Sequence, residues 1–321
     1  MVNRNKYYNG VLLLNKRPGI TSHDAVQEVR HTVRQRRVGH TGTLDPRAEG
    51  LLLVCLGRAT KLVPFLTDQQ KTYEAEICLG QRSSTYDQEG VYRDQPILQP
   101  PDMELHEFQK LLETYRGRQK QTVPAYSAVH VNGRRLYDIA RSGERVDLPQ
   151  REIEISEIRA TSYHKPYLGL TLSCSKGTYV RSLAHDIGER LQCGAYLSAL
   201  KRVRVGRFRL EDALEIDDID RLHQAGRLGP HLLRHDQVLE YSALVVSDDF
   251  RRQVINGRDL SPGDVVDVHG SFGVGEKIVL KDRRGRVLAI GESEIASKAI
   301  EPQRDDSNGG NRLFKYIRVL N

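Results

Sequence analysis

The chemistry in this chain gathers around one acidic residue. Asp45 stands in GHTGTLDPRAEGLLLVCLG (39–57), in a turn of Gly, Thr and Pro ahead of six consecutive apolar residues, Leu51 to Leu56. A strand entering a core has no need of a carboxylate at its mouth. Pro46 biases Asp45 toward an extended backbone and keeps it out of a helix. Gly39 and Gly42 are expected to turn the chain where a side chain would object. The product is a carboxylate displayed on a rigid loop, suited to serve as nucleophile or general base. An Asx turn that merely closes the loop would use the same residues. Two other places make a matching demand. SKGTYVR (175–181) puts Tyr179 and Arg181 at the mouth of a helix just past a strand, where alternate residues can face one cleft. A guanidinium beside Asp45 would hold it ionised and oriented. Tyr73 opens a strand at a position where an aliphatic is more usual, and His40 precedes the turn.

The elements that must position these groups follow from periodicity. VLLLNK (11–16) is a short buried strand closed by Pro18-Gly19. Thr21 to Asp24 form a capping box, and Val26, Val29 and Val33 make one stripe of the helix that follows. TYEAEICLG (72–80) alternates as a half-buried strand, and polar residues 81–101 form a loop or short hairpin excursion. MELHEFQKLLETYRG (103–117) is an amphipathic helix with Leu105, Phe108, Leu111, Leu112 and Tyr115 inward. VPAYSAVHVNGRRLYDIARSG (123–143) is a strand, an Asn132-Gly133 turn and a short helix ended by Gly143. LGLTLSCSKGTYVRSLAHDIGERL (168–191) is a strand turning through Gly177 into a helix striped by Val180, Leu183, Ile187 and Leu191. Strands and helices alternate without a regular βαβ rhythm, so the class is α+β with a mixed sheet. From about residue 243 the texture changes. One helix stops at Gly257, and VVDV, KIVLKD and RVLAIGE follow as short strands between glycine turns, a small β-barrel or sandwich. Residues 1–240 and 241–321 are therefore expected to be two domains, with segment 301–312 mobile and LFKYIRVL a last strand.

Composition limits the partners. The chain has 321 residues, a formal charge of +7 and four cysteines, none of them paired at metal-binding spacing. The cysteines suit buried thiols in a reducing cytoplasm. No apolar run approaches the ~20 residues of a membrane span. Positive charge is clustered in RHTVRQRR (30–37), RGRQK (116–120) and KRVRVGRFR (201–209), a distribution that favours a polyanion. A basic surface, a displayed carboxylate and tyrosines at strand and helix mouths point to base chemistry on nucleic acid. Such chemistry requires the target nucleotide out of its stack.

Over most of its length the chain resembles the TruB family of pseudouridine synthases. The resemblance is carried by GVLLLNKRPGITSHDAV, GHTGTLDPRAEGLLLVCLGRATK, KTYEAEICLGQRSSTYDQEG, VPAYSAVHVNGRRLYDIARSG, CSKGTYVRSLAHDIGERL and CGAYLSALKRVRVGRF, in order. It implies the pseudouridine synthase fold, a mainly antiparallel central sheet with flanking helices. NGRDLSPGD and GRVLAIGE are similar to a PUA-type RNA-binding module at the C-terminus. The implied reaction is isomerisation of one uridine in the T loop of tRNA, position 55, with no cofactor or metal, by a cytoplasmic monomer without an obligate protein partner. The resemblance assigns Asp45 as nucleophile, Tyr73 as base-stacking ring, and Tyr179 and Arg181 as its catalytic companions. It gives Leu200 a backbone contact to the flipped uracil and gives His40 the space that base vacates. Lys16 and Lys61 fall at structural or RNA-contacting lysines, and Arg202 and Arg204 belong to the basic run expected to hold phosphates. His130 departs from the family, which usually carries Lys there, and this removes one expected RNA-facing charge. A non-catalytic tRNA chaperone, a guide-dependent relative and a glycosidase-like hydrolase that would release free uracil remain as alternatives.

Overall fold

The computed structural model describes residues 7–144, 146–300 and 312–320. Its first half is organised by one strand buried on both faces. Strand β1 (Gly10–Lys16) is followed by helix α1 (Ser22–Val33), β2 (Val38–His40) and β3 (Glu49–Leu56). Alternate residues of β3 enter different cores. Leu51, Leu53 and Cys55 join one cluster, while Leu52, Val54 and Leu56 pack with Val26, Val29 and Val33 of α1 in another. Six apolar residues in a row are what a strand with helix and sheet layers on both sides requires. Each such side chain contributes roughly 1.5–3 kcal/mol through burial. The capping box predicted at Thr21 and Asp24 is present and starts α1.

The short helix α2 (Val63–Leu66) leads to β4 (Lys71–Leu79), α3 (Leu105–Glu113), β5 (Gly117–Thr122), β6 (His130–Val131), β7 (Arg134–Arg135) and α4 (Leu136–Arg141). Then come β8 (Gln150–His164), β9 (Tyr167–Cys174), α5 (Val180–Arg190), β10 (Ala195–Val205), β11 (Phe208–Arg209), α6 (Ile216–Gln224) and α7 (His235–Val238). Nine strands form one sheet along β1-β3-β10-β4-β9-β8-β5, with β11 beside β10 and β2 beside β3. Only β3 and β10 run parallel; the other pairs are antiparallel. The expected α+β class with a mixed, mainly antiparallel sheet is observed. The β3–β10 junction demands Gly50. Its φ is +105°, and a Cβ there would lie 2.4 Å from the Arg202 carbonyl oxygen.

A second sheet is built from β12 (Ala243–Val246), β13 (Val265–His269), β14 (Lys277–Asp282), β15 (Val287–Ser293) and β16 (Phe314–Val319), with α8 (Asp248–Val254) after β12. The strands run in the order β13-β12-β14-β15-β16. Val279, Val287, Ile290 and Leu320 of this unit share a hydrophobic cluster with Leu13, Leu53 and Phe208 of the first. Among the described residues no helix is long and apolar enough to cross a membrane. All four cysteines are buried and free.

Several expectations change. The strand expected over 123–131 contracts to His130–Val131, because residues 123–129 run irregularly toward Arg181. Leu105 is exposed at the start of α3, and Phe108 and Leu112 carry that helix's buried contact. Gly39 and Gly42 both lack a positive φ; a Cβ at Gly39 would meet nothing, and one at Gly42 only the Arg202 guanidinium at 3.7 Å. The segment expected to be mobile lies, apart from residue 312, outside the described residues.

Candidate active site

The loop between β2 and β3 is fastened at both ends and from beneath. His40 pairs with Val54, and the Thr41 N–H donates to the Leu53 carbonyl at 3.2 Å. Leu44 is buried, and its N–H donates to the buried Ser22 Oγ at 2.8 Å, which returns a bond to the Leu44 carbonyl at 3.1 Å. Lys16 Nζ donates to the carbonyls of Arg17, Ile20 and Pro46 at 3.0, 2.8 and 3.2 Å. Arg202 Nε and Nη2 donate to the carbonyls of Leu51 at 2.7 Å and Gly42 at 3.1 Å. Ala48, buried, closes the turn with a bond from its N–H to the Asp45 carbonyl at 3.1 Å. Between these anchors the Asp45 side chain stays 36% exposed. A backbone fastened at several points, with its carboxylate left partly exposed, is the arrangement a reacting group requires.

Helix α5 brings Arg181 to that carboxylate. Arg181 Nη2 donates to Asp45 Oδ1 at 3.0 Å, and Nε lies 2.9 Å from Oδ2 without hydrogen-bond alignment. The same guanidinium donates through Nη1 to the Thr85 carbonyl at 3.2 Å and Asp87 Oδ2 at 3.3 Å, and through Nη2 to the Tyr126 carbonyl at 3.3 Å. Its side chain is only 7% exposed. One buried cation thus stands between two carboxylates, and the more exposed of the two is Asp45. Burying a guanidinium is costly unless its donors are satisfied, and here loop carbonyls and Asp87 supply that compensation. The start of α5 is held in turn by Gln121 of β5, whose Oε1 accepts from the Tyr179 N–H at 2.8 Å while Nε2 donates to the Tyr179 carbonyl at 3.0 Å.

Asp45, Asp87, Arg181, Ser198 and Leu200 line a hollow of about 30 Å³, room for a water molecule or two and too small for a base. It shares Arg47, Gln88, Ser198, Ala199 and Leu200 with a groove of about 710 Å³ that runs over β4, β9 and β10. A nucleotide has room in the groove, and its base reaches Asp45 only if the rim side chains yield.

The structure brings Asp45, Arg181 and Leu200 of the predicted residues together around the hollow. Tyr73 lies opposite Arg202 in the β4–β10 ladder and is 9% exposed. Burial raises its pKa, and the Arg202 guanidinium pulls weakly the other way. Tyr179 caps α5 and is half-buried. His40 is half-buried, and burial lowers its pKa, with a smaller push from Arg202. Lys61 Nζ donates to the Val319 carbonyl at 2.9 Å, which ties its segment to the last strand. Arg204 is exposed.

One expected phosphate ligand is corrected: Arg202 is 2% exposed and donates to the carbonyls of Leu51 and Gly42, so it does not face RNA. Of the structural and RNA-contacting roles expected for Lys16, the structural one fits its position, 1% exposed with three backbone carbonyls on its ammonium. Burial pushes the Lys16 ammonium down to about 8. Simple alternation would put Arg202 and Arg204 on the same face. A bulge between them shifts the register, so Arg202 pairs with Tyr73 and Arg204 with Thr72, and Arg204 turns outward. Sequence reasoning missed Asp87 altogether. Its signal was faint: the carboxylate accepts from Thr85 Oγ1 at 2.5 Å and the Glu89 N–H at 3.0 Å, a local turn in a segment assigned only as an excursion.

A mixed nine-stranded sheet thus carries a carboxylate–guanidinium pair over its inner strands, and a second, five-stranded sheet follows it. Residues 30–180 match the TruB family pseudouridylate synthase (N terminal domain), residues 181–240 the tRNA pseudouridylate synthase B C-terminal domain, and residues 242–304 the PUA domain. The chain is similar to the tRNA pseudouridine synthase B of Bacillus licheniformis, 40% identical over 293 residues, 88% of this chain and 92% of that one. The protein of that name from Bacillus subtilis is 38% identical over 299 residues, 91% of this chain and 95% of that one. Among solved structures, an H/ACA RNP bound to a substrate RNA containing 2′-deoxyuridine superposes with a TM-score of 0.74 at 21% identity, over 97% of this chain and 84% of that chain, a likeness of fold. The chain belongs to the TruB family.

Proposed function

We propose that this protein isomerises uridine to pseudouridine in the T loop of tRNA, at position 55, with Asp45 as the group that acts on the nucleotide. The observation that carries this reading is the Arg181–Asp45 contact at the mouth of a nucleotide-sized groove. The names of its relatives, tRNA pseudouridine synthase B, support the substrate class. In the reaction the N1–C1′ bond breaks, a C5–C1′ bond forms, C5 loses a proton and N1 gains one, with no net oxidation. Asp45 attacks C1′ or C6, or assists a glycal route by drawing off a sugar proton. Each route needs an oriented carboxylate, and Arg181 orients it.

Tyr73, buried beneath the hollow and lining neither it nor the groove, contributes its ring once the rim side chains yield to the base. With its pKa raised by burial the phenol stays protonated at neutral pH, so it is a poor base. Stacking under the detached uracil is worth about 1–3 kcal/mol per base. Leu200 borders the base from β10, and His40, uncharged at neutral pH, fills the gap left in the RNA. Exposed Arg204, the basic runs and the C-terminal unit (241–321) position the tRNA through its phosphates. The enzyme acts as a cytoplasmic monomer on tRNA alone. Carbodiimide treatment and primer extension on an unmodified tRNA transcript test the assignment. A single stop appearing at position 55 is expected; a transcript left unchanged, or a stop elsewhere, refutes it.

A further inference from the structure

One residue beside the site is held in a conformation that its type disfavours. Tyr86 has φ +65°, the left-handed region that bulky L side chains rarely enter without compensation. Its neighbours on either side, Thr85 and Asp87, both accept from Arg181 Nη1, at 3.2 Å through the Thr85 carbonyl and 3.3 Å through Asp87 Oδ2. A left-handed residue between them is what lets a main-chain carbonyl and a carboxylate two residues on converge on one nitrogen. The Tyr86 carbonyl accepts from the Leu197 N–H at 2.9 Å, which pins this turn to β10. Its ring lies flat on that of His185, with centroids 4.0 Å apart and planes 10° from parallel. His185 stands on α5 one turn beyond Arg181, so both project toward the same side of the helix. Tyr86 is absent from the lining of the hollow at Asp45.

We propose that the Tyr86–His185 stack is a positioning clamp, which holds the 85–87 turn in its strained shape so that Asp87 and the Thr85 carbonyl keep Arg181 aimed at Asp45. The inference rests on the catalytic assignment of Asp45 and Arg181. Near the site the loop meets α5 at two points a turn apart, by stacked rings and by the guanidinium; the exposed Arg82–Glu189 pair ties it further along the helix. Removing the rings leaves Arg181 as the tie to α5 next to Asp45, and it can then swing toward Asp87 and away from Asp45. The strain at residue 86 is then a cost borne for geometry at the carboxylate.

The test is the single-turnover rate of tritium release from C5-labelled tRNA transcript, with tRNA affinity and thermal melting measured alongside. Tyr86→Ala is expected to slow the step roughly 10- to 100-fold, the scale of a small misplacement at a reacting group, with affinity unchanged. His185→Ala breaks the stack from the other side and should slow it comparably, and the double variant should be no slower than either single one. Tyr86→Phe keeps the stack and should keep the rate. Tyr86→Gly relieves the left-handed backbone and should melt no lower than Tyr86→Ala, yet remain as slow. The clamp is overturned if Tyr86→Ala turns over like the parent, or if Tyr86→Gly recovers full rate, since the backbone alone would then suffice. Asp45→Asn is run in parallel. If it is inactive while the Tyr86 variants are normal, only the clamp fails; if it is active, the catalytic assignment fails first.

Discussion

Replacing Arg181 by lysine keeps the charge and removes the fork, and its effect can be scaled from the distances. The guanidinium reaches both oxygens of Asp45, at 3.0 and 2.9 Å, while holding Asp87 at 3.3 Å and two carbonyls at 3.2 and 3.3 Å. A single ammonium offers three N–H groups from one point and cannot straddle the two carboxylates. At least one charge-assisted hydrogen bond to Asp45 disappears, an interaction of about 1.5–3 kcal/mol when fully buried. Asp45 is 36% exposed, so solvent screening moves the effect toward the lower end. That corresponds to a roughly 10- to 30-fold slower chemical step. Single-turnover tritium release with saturating Arg181→Lys enzyme measures it, and thermal melting shows whether the fold has held. A rate within about twofold of the parent, well under one tenfold step of 1.36 kcal/mol, would refute the claim that the guanidinium orients Asp45. So would a defect confined to tRNA affinity.

Two further outcomes follow from burial and exposure. His40 has its pKa lowered in the folded chain from a usual 6.5, so below that value the unfolded chain takes up the proton first and stability falls with pH. Urea midpoints at pH 7 and pH 5 should therefore differ more in the parent than in His40→Asn; equal drops would contradict the assignment. Neutralising Arg204 and Arg207, both exposed, should weaken tRNA binding and reduce the slope of log affinity against log salt by about one for each phosphate no longer neutralised. An unchanged slope would place the RNA on another face.

Much of this architecture was legible because its causes are local or periodic. The capping box at Thr21, the stripe Val26-Val29-Val33 and the Asn132-Gly133 turn, with φ of +53° and +79°, each depend on residues a few positions apart. The uninterrupted run 51–56 carried longer-range information, since only a strand covered on both faces tolerates it. Asp45 could be singled out because a carboxylate at the mouth of a core strand is out of place, although an Asx turn used the same residues. Arg181 stood out because it lies beside a strand-to-helix turn, although a surface salt bridge would have served there too. What stayed hidden depends on tertiary detail. Arg202 read as surface charge until a bulge separated it from Arg204. For Lys16 the sequence left a structural and an RNA-contacting role open, and only the three carbonyls on its ammonium favour the first. Asp87 lies in a polar segment whose composition says loop and nothing about where the loop folds back. ALVV at 243–246 is too short to announce that β12 would sit inside the second sheet, between β13 and β14.

The central claim about this molecule is that the Asp45 carboxylate takes part in the bond exchange. Asp45→Asn preserves size and leaves an amide oxygen facing Arg181 while abolishing the anion. Tritium release from C5-labelled tRNA over many turnovers measures the consequence directly. Loss of all isomerisation, with tRNA still bound at near-parental affinity, is the expected result, and turnover near the parental rate would contradict it.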